Sequence, residues 1–189
     1  MGAKDQGADA IEGRWLVIPR TLCFITHGRD VLLLKRGMHK RVYPGRYNGV
    51  GGHIERDEDP LTSALREMQE ETGLAIEEVR LRGLIHVDAG SANGIMVFVF
   101  SARAASREFA PCDEGTLEWV PLDAAADLPL VEDLPALLPL LFDAPDDGRL
   151  FYAHSSYDAD DQPVLLFAEH GARAPQSPPY GGTDAPLVR

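Results

Sequence analysis

Three glutamates lie within five residues of one another in the segment PLTSALREMQEETG, at Glu67, Glu70 and Glu71. On a helix, residues three and four apart are neighbours, and like charges there cost about 0.2–0.5 kcal/mol per pair. An acidic face in contact with water tolerates this repulsion. A divalent cation would remove it, because Mg²⁺ is held by a few carboxylates together with waters and substrate phosphates. The crowding therefore indicates either a solvated face or a metal site.

The segment around these glutamates carries the signals of a helix. Asp59 is a candidate N-cap, Pro60 suits the first helical position, and Gly73 suits the stop at the C-terminus. At about 100° per residue, four apolar side chains form a stripe beside the glutamates and are expected to face the core. These residues are Leu61, Ala64, Leu65 and Met68.

The flanking residues decide between the two interpretations, because they fall in the spacing G-x5-E-x7-R-E-U-x-E-E-x-G-U, where U is a bulky aliphatic residue. The matching positions are Gly52, Glu58, Arg66, Glu67, Met68, Glu70, Glu71, Gly73 and Leu74. This pattern resembles the complete signature of the Nudix hydrolase family. A solvated acidic face leaves Gly52, Glu58 and Gly73 unexplained, so the resemblance favours the metal site.

The resemblance implies hydrolysis, dependent on Mg²⁺ or Mn²⁺, of a diphosphate linkage in a nucleoside diphosphate joined to another group. By likeness to the family, Glu67, Glu70, Glu71 and the carbonyl of Gly52 would ligate the metal. Glu58 would bind metal through water or close the start of the helix. Arg66 would orient a neighbouring glutamate by a hydrogen bond.

Phosphoryl transfer needs neutralised phosphate oxygens and a water that has lost its proton. Glu67 is the first candidate to accept that proton. Glu114 is the second, because an extra glutamate outside the signature often completes the metal shell in this family.

The approach to the signature, KRG…GRYNGVGGHIE, resembles the branch that hydrolyses oxidised purine nucleoside triphosphates. That likeness makes Asn48 a candidate for the base edge, and Glu132 and Asp133 candidates for a second base contact. Lys35 and Arg36 are candidates for attracting the anionic substrate. The expected product pair is a nucleoside monophosphate and pyrophosphate.

The base site departs from that branch at one position. An aromatic platform is expected beside the acidic pair, whereas this chain has Leu130 and Val131 there. The candidate replacements are Tyr47, Phe24 and Phe109, although each is expected in the core. The alternatives are an ADP-ribose or nucleotide-sugar pyrophosphatase and, from another class, a Nudix-fold ligand sensor without catalysis.

Composition limits the partners. The formal net charge of −12 argues against a nucleic-acid polymer, because phosphate contacts supply most of that affinity. No apolar run reaches eighteen residues, and the N-terminus has no signal-peptide core. Cys23 and Cys112 each stand alone, which favours free thiols and a cytoplasmic location. We expect a monomer or a homodimer.

The order of the predicted elements indicates an α/β or α+β domain, and the resemblance selects an α/β/α sandwich with a mixed central sheet. We expect a flexible N-terminus over 1–13, one domain over 14–170 and a disordered Pro- and Gly-rich tail over 171–189. Hairpins are predicted near residues 14–35 and 150–168, and a second helix over 134–142.

Overall fold

The computed structural model describes residues 3–8, 11–143 and 147–168. Two α-helices and eight strands alternate along this part of the chain, with single 3₁₀ segments at Ala3–Gln6 and Leu122–Asp127. In chain order the elements are β1 (Leu16–His27), β2 (Asp30–Arg36), β3 (Tyr47–Asn48), α1 (Pro60–Thr72), β4 (Ile76–Val87), β5 (Asn93–Ala104), β6 (Gly115–Pro121), α2 (Leu134–Phe142), β7 (Phe151–Tyr157) and β8 (Pro163–Phe167).

The strands form one mixed sheet in the order β3-β2-β1-β5-β4-β7-β8, and β6 pairs with β2. The β1–β5 and β4–β7 pairs are parallel, whereas the other strand pairs are antiparallel. Parallel neighbours need long crossovers, and those crossovers carry the helices. The sheet is therefore covered on both faces.

Each helix packs on its own face of the sheet. On one face, Leu134 and Leu137 of α2 pack with Phe24 and Leu33 in a buried cluster. On the other, Met68 of α1 belongs to a second cluster with side chains of β1, β2 and β5. The predicted α/β/α sandwich with a mixed sheet is confirmed.

Most predicted elements are confirmed, and the differences lie at their ends. Helix α2 spans the predicted residues with Pro139 inside it. The sequence predicts a strand over 79–87, whereas β4 begins three residues earlier, at Ile76, and its ladder with β5 shifts register after Glu77. Glu78 there has a φ of 51°, so the irregularity hides the strand periodicity that sequence analysis depends on.

The apolar stripe predicted on α1 is wrong in part. Leu61 and Leu65 are 46% and 42% exposed, whereas Ala64 and Met68 are buried. The buried side of the helix is instead shifted towards Glu67 and Glu71, which are partly buried, whereas Glu70 is exposed. Ser63, for example, is fully buried and donates a hydrogen bond to the carbonyl of His53, 3.3 Å away.

The predicted tail lies outside the described residues, and nothing in the structure tests the expected domain boundaries. No helix of the described ranges is long and apolar enough to cross a membrane. Cys23 is buried and Cys112 is partly exposed, and both thiols are free, as the sequence predicts.

Candidate active site

The ends of α1 are fixed by the two predicted caps. Asp59 accepts hydrogen bonds from the N–H groups of Leu61 and Thr62 at 2.8 and 3.1 Å. At the other end, Gly73 adopts a left-handed φ of 67° and donates its N–H to the carbonyl of Gln69. These caps hold the helix that carries the candidate metal ligands in a defined register against the loop before it.

Arg66 is the centre of an ion-pair network on α1. It makes two hydrogen bonds to Glu58, at 2.6 and 3.0 Å, and one each to Glu67 and Glu70, at 2.9 and 3.0 Å. It also donates to the carbonyl of His53 at 3.2 Å. The bond to Arg66 lowers the pKa of Glu58 to about 2. One guanidinium therefore holds three carboxylates and the loop by hydrogen bonds, and the orienting role that the resemblance implies for Arg66 stays a prediction.

Glu71 has a different environment on the inner side of the same helix. Burial raises its pKa to about 7, although the Gly51 N–H donates to Glu71 Oε2 at 2.9 Å. The nearby charges of Glu67 and Glu114 raise the pKa further. A carboxylate in this position is destabilised as an anion until a cation compensates it.

Gly52 approaches the carboxylate of Glu67 so closely that no side chain fits between them. A Cβ placed on Gly52 would lie 2.5 Å from Glu67 Oε1. The Gly52 carbonyl accepts the N–H of Thr21 at 2.9 Å, which ties the loop to β1. This carbonyl retains a second lone pair, so it is still able to serve as a ligand.

A cavity of about 530 Å³ lies against this carboxylate edge, with Gly52, Glu67 and Glu71 in its lining. The structure brings eight of the predicted site residues to its lining: Arg36, Asn48, Gly52, Glu67, Glu71, Glu114, Glu132 and Asp133. Four others do not line it: Lys35, Glu58, Arg66 and Glu70. Glu70 is largely exposed, with its carboxylate on Arg66.

Lys35 and Arg36 are separated because successive side chains of a strand point to opposite faces. The Lys35 ammonium lies 5.5 Å from the centre of the Tyr47 ring, away from the cavity. Arg36 lines the cavity and donates from Nε to the Val42 carbonyl at 2.8 Å. Glu114 reaches the same lining and forms an ion pair with Lys40 at 2.5 Å.

The candidates for base contacts come together in another part of the lining, where the Val131 N–H donates to the Tyr47 carbonyl at 2.9 Å. Asn48 lies there with its Oδ1 accepting the Gly49 N–H at 2.9 Å, which leaves its NH₂ group for a ligand. Asp133 precedes α2, and its buried Oδ1 has no hydrogen-bond partner in the described chain. Burial raises the pKa of Asp133. Such an unpaired acceptor is costly unless a ligand satisfies it.

The aromatic side chains at this end are not the three candidates from the sequence. Tyr47 and Phe24 are buried in the core, and Phe109 does not line the cavity. Instead, Tyr43 and Tyr157 line it, with their hydroxyl oxygens 3.3 Å apart and in hydrogen-bond contact. Sequence reasoning missed both, since they are 114 residues apart and only the fold brings them together.

Arg20 is a further cavity residue that sequence reasoning missed. It lies in β1 beside Thr21 and Leu22, within an otherwise mostly apolar run. One feature of the sequence could have identified Arg20 as a cavity residue: it is a single charged residue in a strand that is expected to be buried.

The donors at the carboxylate edge fit a hard divalent cation that keeps part of its water shell. Within the described ranges, no group of three or more His, Cys, Asp or Glu side chains is placed to hold a metal unaided. Glu67 and Glu71 nevertheless face one cavity, and the charge of Glu67 contributes to the raised pKa of Glu71. Mg²⁺ is typically held by one or two carboxylates, waters and substrate phosphates, and this donor set suits that mode.

The sandwich, the capped acidic helix and the cavity beside it define a Nudix-type hydrolase, and the chain belongs to that family. Residues 18–141 match the NUDIX domain family. Its members are pyrophosphohydrolases that act on phosphorus-containing anhydrides.

Relatives and solved structures agree with this assignment. The chain is 30% identical over 148 residues to the mouse (Mus musculus) oxidized purine nucleoside triphosphate hydrolase, covering 77% of this chain and 89% of that protein. It is 36% identical over 69 residues to the Xenopus laevis m7GpppN-mRNA hydrolase NUDT17, which covers 36% of this chain and only 23% of that protein. The crystal structure of a mutator MutT protein from Bacillus halodurans superposes with a TM-score of 0.65 at 26% identity, covering 80% of this chain and 97% of the other.

Proposed function

We propose that this protein hydrolyses a purine nucleoside triphosphate, including oxidised forms, to the nucleoside monophosphate and pyrophosphate. The observation that carries the proposal is a single cavity with two chemically different ends. Carboxylates of Glu67 and Glu71 line one end, and Asn48 and the unpaired Asp133 line the other. A nucleotide has the same division, with an anionic phosphate chain at one end and a base with polar edges at the other.

The base end supplies groups suited to a purine. The Asn48 side chain offers N–H donors, and Asp133 offers either an acceptor or, when protonated, an O–H donor. Tyr43 and Tyr157 add aromatic surface to the same part of the lining. Stacking on an aromatic side chain contributes about 1–3 kcal/mol per base in nucleic-acid complexes, so these rings are candidates for the missing platform.

The phosphate end supplies the groups that hydrolysis needs. Glu67, Glu71 and the Gly52 carbonyl would hold Mg²⁺ or Mn²⁺, which when bound neutralises phosphate oxygens and acidifies a water. Arg66 fixes one oxygen of Glu67 at 2.9 Å, so the other oxygen is held in a defined direction. Glu67 is the first candidate to accept the proton of the attacking water. Glu114, which also lines the cavity, is the second.

The test is a hydrolysis screen with Mg²⁺ over normal and oxidised purine triphosphates, pyrimidine triphosphates, ADP-ribose and nucleotide sugars. We expect purine triphosphates to be turned over fastest, with pyrophosphate released. Glu71→Gln and Glu67→Gln should each lower kcat by orders of magnitude while the circular dichroism spectrum and melting temperature stay close to wild type.

Two results would contradict the proposal. Turnover of ADP-ribose or a nucleotide sugar in preference to every triphosphate would keep the metal chemistry and reject the substrate. Tight nucleotide binding without turnover of any compound would indicate a ligand sensor instead of an enzyme.

A further inference from the structure

Arg20 has no partner that accounts for its position in the cavity. Its Nε is buried and has no hydrogen-bond acceptor, and no carboxylate of the described chain forms an ion pair with it. Burial lowers its pKa, and the nearby positive charge of Arg36 lowers it further. Arg20 as a whole is half-buried, but a buried N–H donor without an acceptor is costly, so the folded protein keeps this group at the expense of stability.

The missing partner is notable because acidic groups are plentiful around it. The chain has a net charge of −12, and six carboxylates line the same cavity. Neither Arg20 nor Arg36 forms an ion pair with any of them within the described chain, although Lys40 pairs with Glu114 and Arg66 with three glutamates. Two guanidinium groups thus face one cavity without a close ion pair in the described chain, and the charge of Arg36 acts on Glu71 only at longer range.

The chemistry of the missing ligand follows from this pair. A neutral base edge would satisfy the hydrogen bond of one guanidinium but would leave the repulsion between Arg20 and Arg36 unchanged. An anion with several oxygens satisfies both groups, and phosphate suits the planar fork of arginine. Arg20 forms a β-bridge with His53, and the next residue, Thr21, donates its N–H to the Gly52 carbonyl at 2.9 Å, so Arg20 lies beside the loop at the carboxylate edge. The charge of Arg36 acts on Glu71 at the same edge.

We propose that Arg20 acts with Arg36 to bind non-bridging oxygens of the substrate's phosphate chain, on the cavity wall contributed by β1. This inference rests on the proposed function only in requiring a substrate with a phosphate chain. It assigns no role to the base. Arg20 is therefore a substrate-binding residue of the phosphate end, beside the predicted Arg36.

The test measures binding without turnover. Imidodiphosphate, a pyrophosphate analogue whose bridging nitrogen resists hydrolysis, is titrated with Mg²⁺ into wild type and Arg20→Met by calorimetry. We expect the variant to bind about 10- to 100-fold more weakly, since a charge-assisted contact is lost. The matched control is Arg103→Met, which removes an equal charge from β5, where Arg103 pairs with Glu77 and Glu78 at the surface. Its affinity should stay within about two-fold of wild type.

Thermal stability without ligand is a second measurement, and here Arg20→Met should be more stable than wild type although it binds the ligand more weakly. Arg20→Met removes the buried, unpaired Nε–H donor and the repulsion with Arg36, so the melting temperature should rise by roughly 2–4 °C. A merely structural arginine would give a fall. Arg20→Lys keeps the charge, so it should recover part of the affinity and show no rise in melting temperature.

The alternatives give separate results. If Arg20→Met binds imidodiphosphate as wild type does but binds guanosine more weakly, Arg20 contacts the base and the proposal is wrong. If neither affinity changes, the proposal is also wrong. If imidodiphosphate binding depends on Arg20 but no purine triphosphate is hydrolysed, the proposal that Arg20 binds phosphate is supported. The proposal that the substrate is a purine triphosphate is then wrong.

Discussion

The two ends of the cavity are built in different ways. At the phosphate end, the metal-ligand candidates Glu67 and Glu71, with Arg66 and Gly51–Gly52, come from one stretch of about twenty residues and make local contacts. Only the added groups Arg20, Arg36 and Glu114 come from elsewhere in the chain. At the base end, the hydrogen bond between Tyr43 and Tyr157 joins residues 114 apart, and Asp133 comes from a third segment. The first is a local motif, and the second is a product of the topology.

This difference separates the chemistry from the choice of substrate. The phosphate end is held by a capped helix and a dense network around Arg66, so its geometry resists change in the rest of the chain. The base end is assembled from two loops and a hairpin, where substitutions alter shape without disturbing the network. We therefore expect substitutions at the phosphate end to lower kcat and those at the base end to raise KM.

Breaking the Arg66 network should have the largest effect. Arg66→Gln removes the group that fixes Glu58, Glu67 and Glu70, and small misplacements of catalytic groups cost about 100-fold. We expect kcat to fall by about that factor with KM little changed. Arg103→Gln, which also releases two surface glutamates, is the matched control and should leave kcat unchanged. A fall confined to KM would show that Arg66 binds substrate directly.

Removing the Asp133 carboxylate, the unpaired acceptor at the base end, should change KM, whereas Arg66→Gln changes kcat. Asp133→Ala should raise KM for a purine triphosphate by about 10-fold or more, because one hydrogen bond to a charged group is lost. Its exposed neighbour provides the control, and Glu132→Ala should have a smaller effect. Equal effects of the two variants would contradict a specific contact by Asp133.

The sequence predicted the phosphate end of the cavity better than the base end. Asp59, Pro60 and Gly73 fix α1 through contacts within a few residues, so its limits could be predicted, and the metal-ligand candidates with them. Arg20, Tyr43 and Tyr157 could not be assigned to the cavity, because their proximity depends on the strand order β1-β5-β4-β7 and on the path of two loops. The shift in the buried side of α1 was also missed, because buried polar residues such as Ser63, which donates to the His53 carbonyl, do not show in the helix's apolar pattern.

The raised pKa of Glu71 predicts that metal binding at the phosphate end depends on pH. The cation needs the ionised carboxylate, which is about one-tenth populated at pH 6 and nine-tenths at pH 8 for a pKa of about 7. The apparent Mg²⁺ affinity, measured by calorimetry, should therefore rise about 10-fold from pH 6 to pH 8. In Glu71→Gln this pH dependence should vanish, and its persistence would assign the effect to another group.

The same shift affects folding without metal. The folded-state pKa of Glu71 lies above the ordinary glutamate value of about 4.5, so the folded state binds more protons than the unfolded state between pH 4.5 and 7. The contribution of this group to stability is therefore greatest at low pH and is lost as pH rises towards 7. Added Mg²⁺ should raise the melting temperature more at pH 8 than at pH 6.

The smallest expected effect tests the tyrosine pair at the base end. Tyr157→Phe removes the hydroxyl contact with Tyr43 but keeps the ring, and one neutral hydrogen bond corresponds to about a 2- to 10-fold change in KM. Tyr157→Leu also removes the aromatic face, so its effect on purine substrates should be larger. Tyr152, on the same strand and 50% exposed, provides matched Phe and Leu controls that should behave as wild type. If Tyr157→Leu raises KM no more than Tyr157→Phe, the ring does not contact the base, and purine selection depends on Asn48 and Asp133 alone.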